Sequence, residues 1–222
     1  GVDVIRTQLE LGSTATAYQR VNSQYDVTEA GVPTCYYVQP DGVDDAYVTP
    51  TITPGTDKVQ VFAGVRKLSD AAFQSIIELS SSADVNTGSF ALGAASLTGA
   101  ASRRTWASVV TGSTNCVGGA SVFAAPNTKV LSGIYDLSQS LAADENKLLL
   151  DGVLQTMTFL SASAGTGNFL AYPAYIYSRG GATNPFNGLD FGHAVRFGPN
   201  LDAATIARVK SLIARNTPEV TL

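Results

Sequence analysis

The sequence predicts an all-β fold, a sandwich or a barrel. Short runs of alternating apolar and polar residues recur along the chain, with Gly, Asn, Asp and Pro between them. One stretch near the C-terminus stands apart with the spacing of an amphipathic helix. Composition agrees: with 21 Gly, many Ser and Thr and only 14% charged residues, strands and turns are favoured over long helices. A chain of 222 residues is long enough for one large β domain. It buries about 70% of the surface its unfolded form exposes, so it needs no staples.

Residues 1–30 read as an N-terminal arm, or the last strand of an upstream module followed by a linker. Residues 31–222 read as the sandwich domain. In the arm, Val4 to Leu11 alternates as a strand does, and the Ser/Thr-rich stretch Gly12 to Gln19 follows it. Cys35 to Val38 is a short β run stopped at Pro40-Asp41-Gly42, where proline presets φ and glycine accepts positive φ. Tyr47 to Thr49 ends at Pro50, and Lys58 to Val65 alternates as a central strand with one face in the core. Ser75 to Leu79, Ser89 to Leu92, Thr105 to Val110, Lys129 to Tyr135 and Lys147 to Leu150 continue the series. Asp151-Gly152 suits a two-residue type I′ turn leading into Val153-Leu154, and Asn187-Gly188 is a second tight-turn signal. Ala174 to Tyr177 and Leu189 to Phe197 are the last strands. Ile206, Val209 and Ile213 then form one apolar helical stripe, with Asn200 or Asp202 as its cap and an open end of the sandwich as the surface it covers.

Fourteen basic and 18 acidic residues leave a net charge of −4. Nucleic-acid binding calls for a basic stripe that neutralises phosphates, and the pair Arg103-Arg104 is too little for that. No apolar run reaches the roughly 20 residues of a membrane-spanning helix, so membrane insertion is not expected. No signal peptide is visible, and the chain starts at Gly1, as a piece of a longer polypeptide would. Cys35 and Cys116 sit among small or apolar residues, which favours buried thiols, although sequence alone leaves a bridge between them open. Two cysteines and one histidine do not furnish a structural zinc site.

The segment Asp41-Gly42-Val43-Asp44-Asp45-Ala46-Tyr47-Val48 resembles the opening strand of concanavalin A-like, laminin-G-like domains. Further segments resemble later parts of that family in order: Phe62 to Lys67, Leu150 to Val153, Gly165 to Phe169, and Tyr172 to Ile176. Arg179-Gly180-Gly181, Phe186 to Gly188, Ala194 to Arg196 and the closing helix resemble the version found in phage tail and virion proteins. The likeness covers roughly residues 34 to 217, and Gln8 to Tyr18 resembles the last strand of an upstream jelly-roll, carbohydrate-binding-like module. Asp190 and His193 depart from it, in a strand that is more apolar in the family. The resemblance implies a two-sheet antiparallel jelly-roll sandwich, concanavalin A-like, with one short C-terminal helix. It also implies a place on a virion fibre or spike, assembled in the host cytoplasm and exposed on the particle surface, usually in a homo-oligomer, with a trimer favoured.

A lectin-like module of this kind implies a bacterial surface polysaccharide as partner. The alternative is a decoration or assembly protein of the capsid or tail that meets other virion subunits. The arm Val4 to Leu11 would then pair with a neighbour's sheet edge. Glycan hydrolysis needs two carboxyl groups about 5–9.5 Å apart. Glu10, Glu29, Glu78, Glu145 and Glu219 stand isolated in the sequence, so catalysis is not expected. The single histidine, His193, has no nucleophile motif beside it and reads as structural. Trp106, flanked by Arg103 and Arg104, is the leading candidate to stack on a sugar ring. Tyr172, Tyr175 and Tyr177 are further aromatic candidates, the last two sharing a strand face, and Arg179 is a loop cation able to meet an acidic glycan or pair with a nearby Asp. Asp41, Asp44 and Asp45 offer carboxylates for calcium, but their spacing fits better a turn whose Asp side chains bond their own backbone. No cofactor is therefore expected.

Overall fold

The computed structural model describes residues 36–82, 87–94, 106–110, 113–117, 123–159, 167–199, 201–218 and 220; for 106–110, 113–117, 142 and 157–159 it describes the backbone alone. Contacts divide the chain into Gly1–Cys35 and Tyr36–Leu222. The first unit, with the expected arm strand, the linker and Cys35, lies outside the described residues.

The elements run β1 (Tyr47–Val48), β2 (Lys58–Lys67), β3 (Gln74–Leu79), β4 (Phe90–Ala94), β5 (Trp106–Val110), β6 (Ser113–Val117), β7 (Asn127–Asp136), α1 (Ala142–Glu145), β8 (Asn146–Leu150), β9 (Val153–Leu154), β10 (Met157–Phe159), β11 (Ala174–Ile176), β12 (Gly188–Phe197) and α2 (Ala203–Asn216). They form a seven-stranded sheet in the order β1-β11-β3-β4-β5-β6-β10 and a five-stranded sheet in the order β12-β2-β7-β8-β9. Two separate antiparallel sheets make this a sandwich and not a barrel.

The core lies between the sheets, where Val59, Val61, Ala63 and Val65 of β2 and Leu131 and Tyr135 of β7 meet Ile77, Leu79, Phe90 and Leu92 of β3 and β4. Each fully buried Val, Leu, Ile or Phe side chain among them contributes about 1.5–3 kcal/mol. Phe90 stacks on Tyr135 with centroids 5.4 Å apart, and the Tyr135 hydroxyl donates to the Ala91 carbonyl at 3.1 Å, tying the sheets together. Asp151 and Gly152 take φ of 48° and 82° between paired Leu150 and Val153, the tight hairpin the dipeptide predicts.

Strands β6 and β10 and the short α1 were not expected from sequence, and two expected features take a different place. Helix α2 covers no open end; Ile213 packs on Phe62 and Val130, on the outer face of the five-stranded sheet. That is why β2 is buried on both faces although its sequence alternates. Gly64 makes the contact possible, since a Cβ there would lie 2.0 Å from Thr217 Oγ1 and 2.8 Å from Ile213 Cγ2. Asp202 caps the helix, accepting from the Thr205 N–H at 2.9 Å. Asn187-Gly188 makes no hairpin turn; Gly188 opens β12, and a Cβ there would meet the Arg66 carbonyl at 2.4 Å.

Candidate ligand-binding edge

The structure redistributes the residues singled out from sequence. Arg103 and Arg104 lie outside the described residues, and Trp106 is described only by its backbone, which opens β5 opposite Ala94. Cys116 pairs by backbone with Ala107 and Thr158.

Tyr177 presents no stacking face. It falls one residue past β11 with φ of 66°, is buried, and donates its hydroxyl to Asp190 Oδ2 at 2.7 Å. The positive φ breaks the alternation that would have set it beside half-buried Tyr175. Arg179 is not a free cation either. Its Nε and Nη2 donate to the Glu78 carboxylate at 3.2–3.3 Å, its guanidinium lies 5.8 Å from the Phe73 ring centre, and its side chain is 17% exposed while that of Glu78 has no exposure. The loop Arg179–Thr183 folds back on itself, the Thr183 N–H donating to the Arg179 carbonyl at 3.0 Å. Its cation balances a carboxylate carried by an inner strand of the seven-stranded sheet.

Asp41, Asp44 and Asp45 bring one carboxylate oxygen each within 4.8 Å of one another, all exposed. Two of them bond their own loop: Asp41 accepts from the Val43 N–H at 2.7 Å, and Asp45 accepts from the Asp41 N–H at 2.9 Å. The first is an Asx-turn, and both are the own-backbone bonds the spacing suggested.

A different group of side chains converges where the two sheets end. Strand β12 closes the five-stranded sheet, and segment 36–41 pairs with it: Val38 and Asp190 exchange backbone hydrogen bonds at 2.9 and 2.8 Å, and Asp41 bridges Asn187. Strand β1 closes the seven-stranded sheet. From these edges Tyr36, Tyr37 and Tyr47 reach solvent, 83%, 48% and 60% exposed. Two are braced from below: Tyr37 sits edge-on to Phe191 at 6.0 Å and Tyr47 edge-on to Tyr177 at 5.9 Å. Rings held this way offer apolar faces with polar tips, next to a carboxylate-bearing loop on the same stretch of chain.

Beneath them lies a network the sequence reading missed. Asp190 Oδ2 accepts from the Tyr177 hydroxyl and lies 2.7 Å from His193 Nδ1, while Oδ1 accepts from the Gly192 N–H at 2.8 Å. Residues three apart in a regular strand point to opposite faces. Here Asp190 is opposite Val65 and Gly192 opposite Gly64, so the bulge at Phe191 shifts the register by one and turns Asp190 and His193 to the same side. The clue was two polar residues in an otherwise apolar strand, but the bulge that unites them has no sequence signature beyond Gly192, whose φ is 144°.

The network sets its own protonation. Burial pushes the Asp190 carboxyl up, but the His193 hydrogen bond and charge, with the Tyr177 and Gly192 donors, outweigh it and hold Asp190 below its ordinary 3.8. The bond to Asp190 raises His193 above 6.5 against the opposing effect of burial. Burial, then the Asp190 charge, pushes the Tyr177 phenol up. Tyr177 is thus a neutral donor and His193 a favoured cation.

No protein-family model matches the chain, and no curated protein matches its sequence. Solved structures do match. A heptameric SAP-like pentraxin from Limulus polyphemus aligns over 82% of this chain and 88% of its own, with a TM-score of 0.58 and 12% identity. The binding domain of botulinum neurotoxin DC, in complex with rat synaptotagmin II, aligns over 82% of this chain and 43% of its own, with a TM-score of 0.53 and 9% identity. The CBM40 of the Ruminococcus gnavus IT-sialidase, bound to α2,6 sialyllactose, aligns over 72% of this chain and 97% of its own, with a TM-score of 0.48 and 12% identity. The chain has the two-sheet antiparallel jelly-roll sandwich fold.

Proposed function

We infer that this domain is a non-catalytic glycan-binding module, and that the tyrosine-bearing edge made by segment 36–41 and β1 is where it meets its ligand. The observation that carries the reading is the set of exposed rings Tyr36, Tyr37 and Tyr47 on a lectin-like sandwich, two of them braced by buried aromatics. Sugars present apolar ring faces bordered by hydroxyls. A braced tyrosine matches both features at small entropic cost, because its rotamer is already fixed. Asp41, Asp44 and Asp45 add acceptors for hydroxyl groups. The charge of the Arg179 guanidinium is already matched by Glu78, which favours a neutral over an acidic saccharide.

The resemblance to phage virion domains supplies the setting of the proposal: a homo-oligomeric, preferably trimeric, fibre or spike subunit whose ligand is a bacterial surface polysaccharide. The reading needs no cofactor. The carboxylates at Asp41 and Asp45 are engaged with their own loop, and an unchanged melting temperature in millimolar calcium is the expected result.

The test is retention on host-surface polysaccharide of the wild type and of Tyr36→Ala, Tyr37→Ala and Tyr47→Ala. Loss of a stacked ring removes about 0.5–1.5 kcal/mol, so the Tyr37/Tyr47 double variant is expected to bind at least about fivefold more weakly; its unfolding midpoint falls too, since each ring also packs on Phe191 or Tyr177, but it stays folded under the assay conditions. Undiminished retention in all variants would reject the edge. Absence of retention by the wild type, combined with failed particle assembly on deletion of the domain, would favour a structural role in the virion.

A further inference from the structure

We propose that Tyr177, Asp190 and His193 form a proton-operated clasp that holds the tyrosine-bearing edge onto β12. The inference deepens the proposed function by adding regulation to the same site, and it rests on that reading only for its consequence in binding. The clasp joins both sheets. Tyr177 follows β11 of the seven-stranded sheet, whereas Asp190 and His193 belong to β12 of the five-stranded one. One carboxylate oxygen serves both partners at 2.7 Å, and the backbone of the same aspartate exchanges two hydrogen bonds with Val38, next to Tyr37. Tyr47 rests edge-on against the Tyr177 ring. The anchor of segment 36–41, made by the backbone of Asp190, and the brace under β1, made through its carboxylate, therefore meet at a single residue.

His193 is the member of the clasp able to change charge near neutral pH. Among the described residues, the groups facing it come from three elements and the edge segment. Asp190 lies on its own strand, Tyr177 comes from the segment after β11 with Tyr47 of β1 behind it, and the neighbouring β2 presents Ala63. Tyr37 of the edge segment reaches the cluster through Phe191. With the imidazole protonated, Nδ1–H donates a charge-assisted bond to a nearly fully buried carboxylate, and ion and counter-ion balance. Loss of the proton leaves Asp190 as a buried anion held by neutral donors only. The imidazole is 27% exposed, so solvent reaches it to exchange the proton.

The sign follows from the direction of the shift. His193 is raised above 6.5 in the fold, so its contribution is complete below pH 6.5 and is lost as pH climbs through the folded value. The clasp is closed below pH 6.5 and loosens as pH rises through the folded value.

Because the chain has one histidine, its imidazole proton resonances report the site without assignment. The wild type is expected to titrate above 6.5, and Asp190→Asn to bring the midpoint back toward that value. Protection of the Val38 amide against hydrogen exchange, corrected for intrinsic rate, should fall as pH rises through the midpoint, by up to about tenfold per unit of displacement. In His193→Gln, which keeps a neutral side-chain donor, that pH dependence should vanish. A wild-type midpoint at or below 6.5, or an equal slope of Val38 protection in wild type and His193→Gln, overturns the clasp. Glycan retention measured on the same samples at pH 6 and pH 9 reads the other proposal separately. Retention absent at both pH values with the Val38 response intact defeats the ligand reading and supports the clasp.

Discussion

Replacing Arg179 with alanine is expected to destabilise the domain far more than losing a surface cation would. The reason is Glu78, which has no solvent exposure in the middle of the seven-stranded sheet and takes two donor groups of Arg179 at 3.2–3.3 Å. Exposed ion pairs contribute about 0–1 kcal/mol. Removing one partner of a buried pair is different, because the remaining carboxylate loses its guanidinium counter-ion in a low-dielectric site, at a cost of about 3–5 kcal/mol. Against a total stability of about 5–15 kcal/mol, that loss is large. With a urea m-value near 3 kcal/mol/M, the unfolding midpoint should drop by about 1–2 M at unchanged slope. The double variant Glu78→Leu/Arg179→Leu should recover most of the lost stability, because an apolar pair removes both charges together. If Arg179→Ala unfolds within about 0.5 kcal/mol of wild type while losing polysaccharide retention, the assignment of Arg179 to structure is wrong and it is a ligand cation after all.

Gly64→Val should lift α2 from β2, because its Cβ would lie 2.0 Å from Thr217 Oγ1; a loss of about 1–3 kcal/mol and exposure of the Ile213 contact to hydrogen exchange are expected, and an unaltered midpoint would show that the helix is not seated there. Asp136 is raised by burial, but donors from Ser138, Lys58 and Gln139 hold it down to about 2 from 3.8. Its depressed value means that stability present above pH 3.8 is lost as pH falls toward 2, so Asp136→Asn should cost about 2 kcal/mol at pH 7 and flatten the acid limb of a stability–pH curve.

Local patterns in the chain determined much of the fold. Alternation marked β2, because a strand with a core face repeats every second residue, and short β-rich runs set between turn residues marked β3, β4, β5, β7, β8 and β12. Asp151-Gly152 specified its hairpin, because only a tight turn with positive φ at both positions suits that dipeptide. The short strands β6 and β10 escaped notice; Ser113–Val117 and Met157–Phe159 carry too few alternating residues to stand out from their surroundings. Helix α2 was legible as a helix from its apolar stripe, yet the face it covers depends on Gly64, more than 130 residues earlier in the chain.

The candidate site was the least legible part, since it is assembled from contacts between distant segments. Sequence marked the carboxylates of Asp41, Asp44 and Asp45 and the aromatic character of segment 172–177, but did not single out Tyr36, Tyr37 and Tyr47. Tertiary structure decided which tyrosines remain exposed, buried Tyr177 against Asp190, and matched Arg179 with Glu78. It also placed a bulge at Phe191 that turns Asp190 and His193 to one face, which their spacing in a regular strand forbids. A one-dimensional pattern records which residues prefer burial. Register shifts and the pairing of remote charges are settled only when two sheets pack and every buried polar group must find a partner.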